Sequence, residues 1–111
     1  MNKKVFLIKS EGLGRGGDQL GQMLMANFLR LLGESPDKPV KIVFLNSGVK
    51  LVCEGSKVLG HVIKLEEQGV EILACTTCLE YFELVDRLKA GKPTTMMKTI
   101  ESMLANETVS I

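Results

Sequence analysis

Two cysteines stand three positions apart in the segment CTTC, at Cys75 and Cys78, and their spacing suits covalent sulfur chemistry. Cys75 ends an apolar run that is typical of a buried strand, and Thr76 or Thr77 is placed to cap a following helix. Unpaired N–H groups and the positive end of the helix dipole stabilise a thiolate there. We therefore predict a nucleophilic thiolate at Cys75 and a resolving thiol at Cys78. The alternative is that both are small buried hydrophobic side chains.

The third cysteine, Cys53, lies in the segment VKLVCEGS and is a second candidate thiol for the same site. Glu54 beside it raises a thiol pKa rather than lowering it, and a half-buried loop residue is the alternative interpretation. The count of three cysteines favours reduced thiols over structural disulfides. No metal site is expected, because His61 is the only histidine and a closed zinc site needs four ligands.

A glycine-rich loop, GLGRGGDQLG, follows the first apolar run, and its glycines spell G-x-G-x-x-G. A dinucleotide site also needs an acidic residue after the second strand, where this chain has Asn46. We therefore expect no cofactor, and we take Arg15 as an exposed cation that attracts an anion or only solvent. The segment NSGV could hold a small anion or a persulfide, or form an ordinary turn. The candidate ligand-binding residues are Gly12, Gly14, Arg15, Gly16, Gly17, Asn46, Ser47, Gly48, Thr76 and Thr77.

The composition of the chain limits the classes of protein to which it can belong. The 111 residues suit one domain, 1–111, and 45% of them are hydrophobic, which is enough for a packed core. A net charge of +1 argues against nucleic acid or a charged membrane surface as the main partner. No stretch approaches the ~20 apolar residues of a membrane span, and the apolar run after MNKK is too short for a signal peptide. We therefore expect a cytoplasmic protein.

Three apolar runs, at 4–9, 40–46 and 70–75, predict strands that are buried on both faces. The segment TVSI near the C-terminal end predicts a last strand. Residues 91–95 predict either a short strand or only a turn. Helices are expected over 18–33, with Asp18 as N-cap and Gly33 as stop, and over 56–69, 77–90 and about 95–106. The alternation predicts an α/β fold, a single three-layer α/β/α domain with a mainly parallel sheet of about five strands, flavodoxin-like in layout.

Helical spacing also predicts which side chains face inward. The first helix is expected to bury Leu20, Met23, Leu24, Phe28, Leu31 and Leu32, and the second to bury Val58, Leu59, Val62, Ile63 and Leu65. The third is expected to bury Leu79, Phe82, Val85 and Leu88, and the fourth to bury Met96, Ile100, Met103 and Leu104. The loops that carry the cysteines and the glycines follow strands, so they should meet at the carboxyl edge of the sheet.

The chain resembles the DsrE/DsrF-like family, and most of all the DsrE-like domain of YedF-type proteins associated with selenium metabolism. Three segments together carry the resemblance: GLGRGGDQLG, FLNSGVKLVCEGS and GVEILACTTCLEYFEL. The resemblance implies a sulfur relay in which Cys75 carries a persulfide, with a TusA-like protein or another persulfide protein as donor or acceptor. It also implies a homo-oligomer. YedF-type proteins carry a TusA-like domain with a C-P-x-P motif, which this chain lacks, so we expect a stand-alone version or a fragment. A small-ligand or partner-binding module and a thiol-redox protein are the alternative functions.

Overall fold

Five parallel strands form one sheet in a computed structural model that describes residues 3–111. The strands are β1 (Lys4–Ile8), β2 (Lys41–Phe44), β3 (Glu71–Cys75), β4 (Lys92–Thr94) and β5 (Glu107–Ser110). Their order across the sheet is β4-β3-β2-β1-β5, and every neighbouring pair is parallel. The predicted fold class is confirmed, and 91–95 contains a strand rather than only a turn.

Four α-helices connect the strands: α1 (Asp18–Glu34), α2 (Leu59–Glu67), α3 (Thr76–Tyr81) and α4 (Met96–Ala105). Two 3₁₀ helices lie at Asn46–Val52 and Val85–Arg87. The steps from β1 to β4 all move in one direction, so right-handed crossovers place α1, α2 and α3 on the same face of the sheet. The step from β4 to β5 runs back across the sheet and places α4 on the opposite face.

The main core lies between the sheet and the face that carries α1, α2 and α3. Met25 and Leu29 of α1 and Val62 and Leu65 of α2 pack there against strand residues such as Phe44. A smaller cluster on the other face consists of strand side chains, namely Val5, Leu7, Val43 and Leu73, with Val40 and Leu45 beside it. The two faces therefore differ in how much apolar helix surface covers them.

The predicted inward face of α1 is wrong for Leu20, Met23, Leu24 and Leu31, which are exposed. The helix instead buries Gly21, Met25, Leu29 and Gly33. The choice depends on a contact outside the helix, because the Leu13 N–H donates to the Gly21 carbonyl over 3.0 Å and a Cβ on Gly12 would lie 3.3 Å from Gly21. Only a glycine lets the loop approach this closely.

The predicted ends of α1 also differ from the structure. Gly17 occupies the N-cap position, and Asp18 is the first residue of the helix. Because glycine has no side chain, no side-chain hydrogen bond caps this end. Gly33 does not stop the helix, which continues to Glu34 and ends before Ser35. Gly33 faces Lys64 of α2 instead, where an added Cβ would lie 3.7 Å from the lysine Cδ, an ordinary contact.

The predicted helix 77–90 is shorter than expected. Leu79 is buried as predicted, but α3 ends at Tyr81 and Val85 is exposed. Glu83 has a φ of 57°, in the left-handed region that breaks a helix, and the Leu84 N–H bonds back to the Leu79 carbonyl over 2.8 Å.

The predicted inward face of α4 is wrong as well. Its apolar side chains are exposed, and Thr99 and Ser102 are the residues it buries. Thr95 caps this helix by accepting a hydrogen bond from the Lys98 N–H over 3.2 Å. Among residues 3–111, no helix is both long enough and apolar enough to cross a membrane.

Candidate functional site

Cys75 and Cys78 come together at the carboxyl edge of β3. Cys75 is the last residue of β3, as predicted, and it is also the N-cap of α3. Cys78 lies in the first turn of α3, as predicted. The two thiols interact, because Cys75 contributes to the raised pKa of the Cys78 thiol. Cys75 is only 4% exposed, whereas Cys78 is partly exposed. The pair is therefore a shielded sulfur with a more accessible sulfur beside it.

The end of β2 contributes a backbone donor to this pair. The Asn46 N–H donates to Cys78 Sγ over 3.1 Å. Asn46 has a φ of 51°, and its Oδ1 accepts from the Ser47 N–H over 2.8 Å, which stabilises the unusual backbone. Asparagine adopts this left-handed conformation more readily than most residues. The predicted site residue Asn46 thus contacts the thiol pair through its main chain.

The electrostatics of Cys78 favour its protonated form. Burial raises the pKa of the Cys78 thiol first, and the hydrogen bond to Cys75 and the charge on an ionised Cys75 raise it further. The hydrogen bond from the Asn46 N–H lowers it in part. The net effect raises the pKa of the Cys78 thiol, so this thiol is protonated at neutral pH.

Threonines 76 and 77 do not cap α3, contrary to the prediction. The N-cap is Cys75, with no side-chain cap hydrogen bond. Thr76 Oγ1 donates instead to the Thr94 carbonyl over 2.9 Å, which joins the start of α3 to the end of β4 beside Cys75. Thr77 is exposed at this edge.

Cys53 does not join the pair. It directly follows the 3₁₀ helix that begins at Asn46. This helix has seven residues with a rise of about 2 Å per residue, so Cys53 lies at the far end of it from Asn46. It is 1% exposed, pairs in an antiparallel bridge with Leu88, and burial raises the pKa of its thiol. Cys53 is therefore a packed thiol at the opposite end of this segment from Asn46.

The glycine loop is largely a structural connection. Gly14 and Gly16 have φ values of 84° and 125°, which other residues rarely adopt, and Arg15 between them is exposed. Gly12 packs on α1 and Gly17 is the N-cap of α1. None of the loop glycines lines the open cavity between α1 and the segment after the 3₁₀ helix, and neither does Arg15.

Gly48, predicted as a ligand-binding residue, is buried in a close contact. A Cβ on Gly48 would lie 2.4 Å from the Ile8 carbonyl oxygen, so no side chain fits there. The same carbonyl accepts from the Leu45 N–H over 2.9 Å. This contact fixes the start of the 3₁₀ helix, and with it Asn46 and Ser47, against the end of β1.

An open cavity of about 730 Å³ lies between α1 and the segment that follows the 3₁₀ helix. Its lining mixes charged side chains, including Glu11 and Lys50, with apolar ones such as Met23 and Phe82, and Cys53 is part of its wall. Phe82 follows Cys78 by about one helical turn. The cavity wall at Phe82 is therefore about 6 Å from Cys78, measured along the helix. The volume is in the range of small-molecule sites.

Lys50 and Phe82 are the residues of this region that sequence reasoning missed. Lys50 Nζ lies 4.6 Å from the centroid of the Phe82 ring, as a cation–π contact. The spacing of Cys78 and Phe82 placed them on the same helix face, but NSGVKLV reads as a loop, so nothing in the sequence directs Lys50 towards that face. In residues 3–111, no three His, Cys, Asp or Glu side chains form a group that could hold a metal ion.

Comparisons with known proteins identify the fold. No protein-family model matches the chain, and neither does any curated protein. Among solved structures, the chain is similar to the ychN protein from E. coli, with a TM-score of 0.75 and 14% identity over 100% of both chains. It is also similar to protein MTH1491 of unknown function from Methanobacterium thermoautotrophicum, with a TM-score of 0.70 and 19% identity over 97% of both chains.

A third similar structure is the conserved protein BT1422 of unknown function from Bacteroides thetaiotaomicron. Its TM-score is 0.63 at 16% identity, over 98% of this chain and 95% of that one. At these identities the likeness establishes the fold. The chain has the architecture of these small α/β proteins, among which ychN has a DsrE/DsrF-like fold.

Proposed function

We propose that this protein is a sulfur carrier of the DsrE-like type, related to the YedF-type proteins, and that Cys75 holds the transferred sulfur as a persulfide. The observation that supports this proposal is the pair of neighbouring thiols at the carboxyl edge of the sheet, where the Asn46 N–H donates to Cys78 Sγ over 3.1 Å. Cys78 keeps its proton, so it can stabilise a thiolate on its neighbour. We assign Cys75 as carrier because it ends a strand at the start of α3, and Cys78 as resolving thiol because it lies in the first turn of that helix.

Loading would proceed by thiol–persulfide exchange. The Cys75 thiolate attacks the outer sulfur of a donor persulfide, a new S–S bond forms, and the donor leaves as a thiolate. Cys75 then carries S–SH. An acceptor thiolate attacks the outer sulfur in turn, takes it as its own persulfide, and Cys75 leaves as a thiolate. The two steps need no external oxidant, because each S–S bond broken is matched by one formed.

Burial suits a carrier that must keep its sulfur between partners. Cys75 is 4% exposed, so a persulfide formed there is protected from water and from oxidants. Cys78 in the first turn of α3 is partly exposed, and the proposed entry of the partner thiol is on this side of the pair. A TusA-like protein or another persulfide protein is the proposed partner, in the cytoplasm, and selenium in place of sulfur is compatible with the same exchange.

Cys78 gives the loaded protein a second outcome when no acceptor is present. Its thiolate can attack the Cys75 inner sulfur, which forms a Cys75–Cys78 disulfide and releases the outer sulfur as hydrosulfide. The proton that Cys78 retains slows this reaction near neutral pH, because the thiolate is the attacking species. The raised pKa of Cys78 thus favours retention of the carried sulfur.

The test is whole-protein mass spectrometry after exposure of the reduced protein to sodium polysulfide. Wild type and Cys53→Ser should gain about 32 Da, one sulfur atom, and Cys75→Ser should not. Cys78→Ser should load and then lose its sulfur more slowly than wild type, because the resolving thiol is absent.

Three results would count against the proposal. A Cys75→Ser variant that loads as wild type does would exclude Cys75 as carrier. A loss of about 2 Da on mild oxidation, with no loading in any variant, would favour the thiol-redox function. No mass change in any variant would favour a binding module.

A further inference from the structure

The open cavity of about 730 Å³ beside α1 has a buried apolar lining, with charged side chains nearer to solvent. The buried lining residues are Leu51, Cys53 and Val58. The charged lining residues are half-buried or exposed. An apolar interior with a few charged groups is typical of a small-molecule site. The charged groups therefore determine which class of molecule fits this cavity.

The charges that line this cavity do not balance. They belong to Glu11, Lys50, Glu54 and Lys57. Glu54 lies 3.8 Å from Arg87, which offsets its charge. No ion pair within residues 3–111 joins any of the other three side chains to a partner. Two ammonium groups and one carboxylate thus remain uncompensated, which gives the cavity an excess of one positive charge.

Lys50 has a defined position in the cavity wall. Its Nζ lies 4.6 Å from the centroid of the Phe82 ring, and its side chain is half-buried. The contact with the ring holds the ammonium group and leaves N–H groups free to donate to a ligand. Water and salt screen a half-buried charge less than a fully exposed one. Lys50 is therefore suited to bind a carboxylate of a ligand.

Two successive contacts between the 3₁₀ helix and α3 relate this lysine to the thiol pair. The first is the hydrogen bond of 3.1 Å from the Asn46 N–H to Cys78 Sγ. The second, four residues further along both segments, is the contact of Lys50 with Phe82. Four residues rise about 6 Å in an α-helix and about 8 Å in a 3₁₀ helix. The cavity cation is therefore roughly 6–8 Å from Cys78 along these segments.

We infer that this cavity binds a short peptide thiol with two carboxylates and one ammonium group, and that the persulfide of this thiol donates sulfur to Cys75. This inference rests on the proposed function, because the donor must react with Cys75. The two carboxylates match Lys50 and Lys57, and the ammonium group matches Glu11. The net charge of −1 on such a molecule offsets the excess positive charge of the cavity.

The length of a short peptide thiol also fits the spacing between the cavity and the thiol pair. Consecutive Cα atoms are about 3.8 Å apart, so a carboxylate one residue beyond a cysteine is roughly 6 Å from its sulfur. With that carboxylate on Lys50, the sulfur of the ligand reaches the level of Cys78, which is partly exposed. The Cys75 thiolate then attacks the outer sulfur of the persulfide, the S–S bond of the donor breaks, and the donor leaves as a thiolate.

The first measurement compares glutathione persulfide with the persulfide of glutathione diethyl ester, in which both carboxylates are masked. Peptide mass spectrometry follows the fraction of Cys75 that gains about 32 Da as the donor concentration rises. Wild type should reach half-maximal loading at about a tenfold lower concentration of the free acid, because the ester has no negative charge for the lysines to bind. Lys50→Met should lose most of this preference, and its loading by the ester reports that the variant is folded.

Lys64→Gln is the matched control, because Lys64 is an exposed lysine of α2 that does not line the cavity. This variant should keep the preference of wild type for the free acid. Loading of wild type without a preference, or an undiminished preference in Lys50→Met, would overturn the inference and leave the proposed function standing. Failure of sodium polysulfide to load wild type would contradict the proposed function instead.

A second measurement does not depend on sulfur transfer. S-methylglutathione cannot form a persulfide, and its binding to Cys75→Ser is followed by amide chemical shifts in two-dimensional NMR. The shifts should be confined to the cavity, at residues such as Lys50, Ser56 and Leu84. They should disappear when Lys50→Met and Lys57→Gln are added. Absence of shifts, or equal shifts with the diethyl ester of the same compound, would overturn the inference.

Discussion

The Asn46 N–H and Cys78 Sγ are 3.1 Å apart, and this hydrogen bond joins the end of β2 to the first turn of α3. The donor is a main-chain group, so its position depends on the backbone of Asn46 rather than on its side chain. That backbone is left-handed, with a φ of 51°. The geometry around the thiol pair thus depends on a conformation that few residue types adopt.

We first predict that Asn46→Val weakens this contact and Asn46→Gly preserves it. A β-branched residue in the left-handed region costs about 1–2 kcal/mol, whereas glycine adopts it without strain. Asn46→Val should lower the free energy of unfolding in urea by that amount and raise the pH at which Cys78 reacts with iodoacetamide. Equal stability and equal Cys78 reactivity in both variants would show that the Asn46 backbone does not control the contact.

The second prediction concerns the proton on Cys78. Cys75 raises the pKa of Cys78 through a hydrogen bond and through its charge, so Cys75→Ala should lower the pH midpoint of Cys78 alkylation relative to wild type. Peptide mass spectrometry over a pH series measures that midpoint for each cysteine. Cys53→Ala is the control and should leave the Cys78 midpoint unchanged. A midpoint that stays the same or rises in Cys75→Ala would contradict the contact between the two thiols.

The third prediction is a pH dependence of stability due to Cys53. Burial raises its pKa in the folded protein, so the unfolded chain loses this proton first as the pH rises. The stabilising effect is therefore complete below the unfolded pKa of about 8.5 and is lost progressively above it. The difference in unfolding free energy between wild type and Cys53→Ala should shrink between pH 7 and pH values above about 8.5. A constant difference would show that Cys53 does not contribute to the pH dependence.

The fourth prediction compares two glycines in one experiment. Gly48→Ala places a Cβ 2.4 Å from the Ile8 carbonyl oxygen and should destabilise the protein by about 1–3 kcal/mol, since a backbone group must move. Gly60, in α2, has no atom within 4 Å of an added Cβ. Gly60→Ala should stabilise the helix by about 0.5–1 kcal/mol. Urea unfolding gives both values, and a loss of stability in both variants would point to a general effect of substitution instead.

Local sequence pattern was sufficient to predict the strands. Three apolar runs correspond to β1, β2 and β3 within two residues at each end, and their near-continuous apolar character predicted a sheet covered on both faces. The parallel arrangement follows from the helices between them, and it brings the ends of β2 and β3 to one edge. For that reason the sequence predicts that the loop with Asn46 and the loop with Cys75 lie at the same edge of the sheet.

Helical periodicity failed where a helix has two apolar sides. In α1 the stripe with Leu20 and Leu24 is as regular as the stripe with Met25 and Leu29, and only packing against the sheet and Gly12 selects the second. In α4 the regular apolar stripe faces outward. Apolar residues at helical spacing indicate that one face of a helix is apolar. The spacing is the same whether that face packs in the core or against another molecule.

The chain's local patterns determined its elements, the parallel sheet and the edge that carries its thiols, because each depends on neighbouring residues along the sequence. Tertiary packing decided that Cys53 lies away from the thiol pair, at the far end of the 3₁₀ helix that begins at Asn46. Packing also decided that α4 turns Thr99 and Ser102 inward. These outcomes depend on contacts between residues far apart in sequence, for which no local spacing gives a signal.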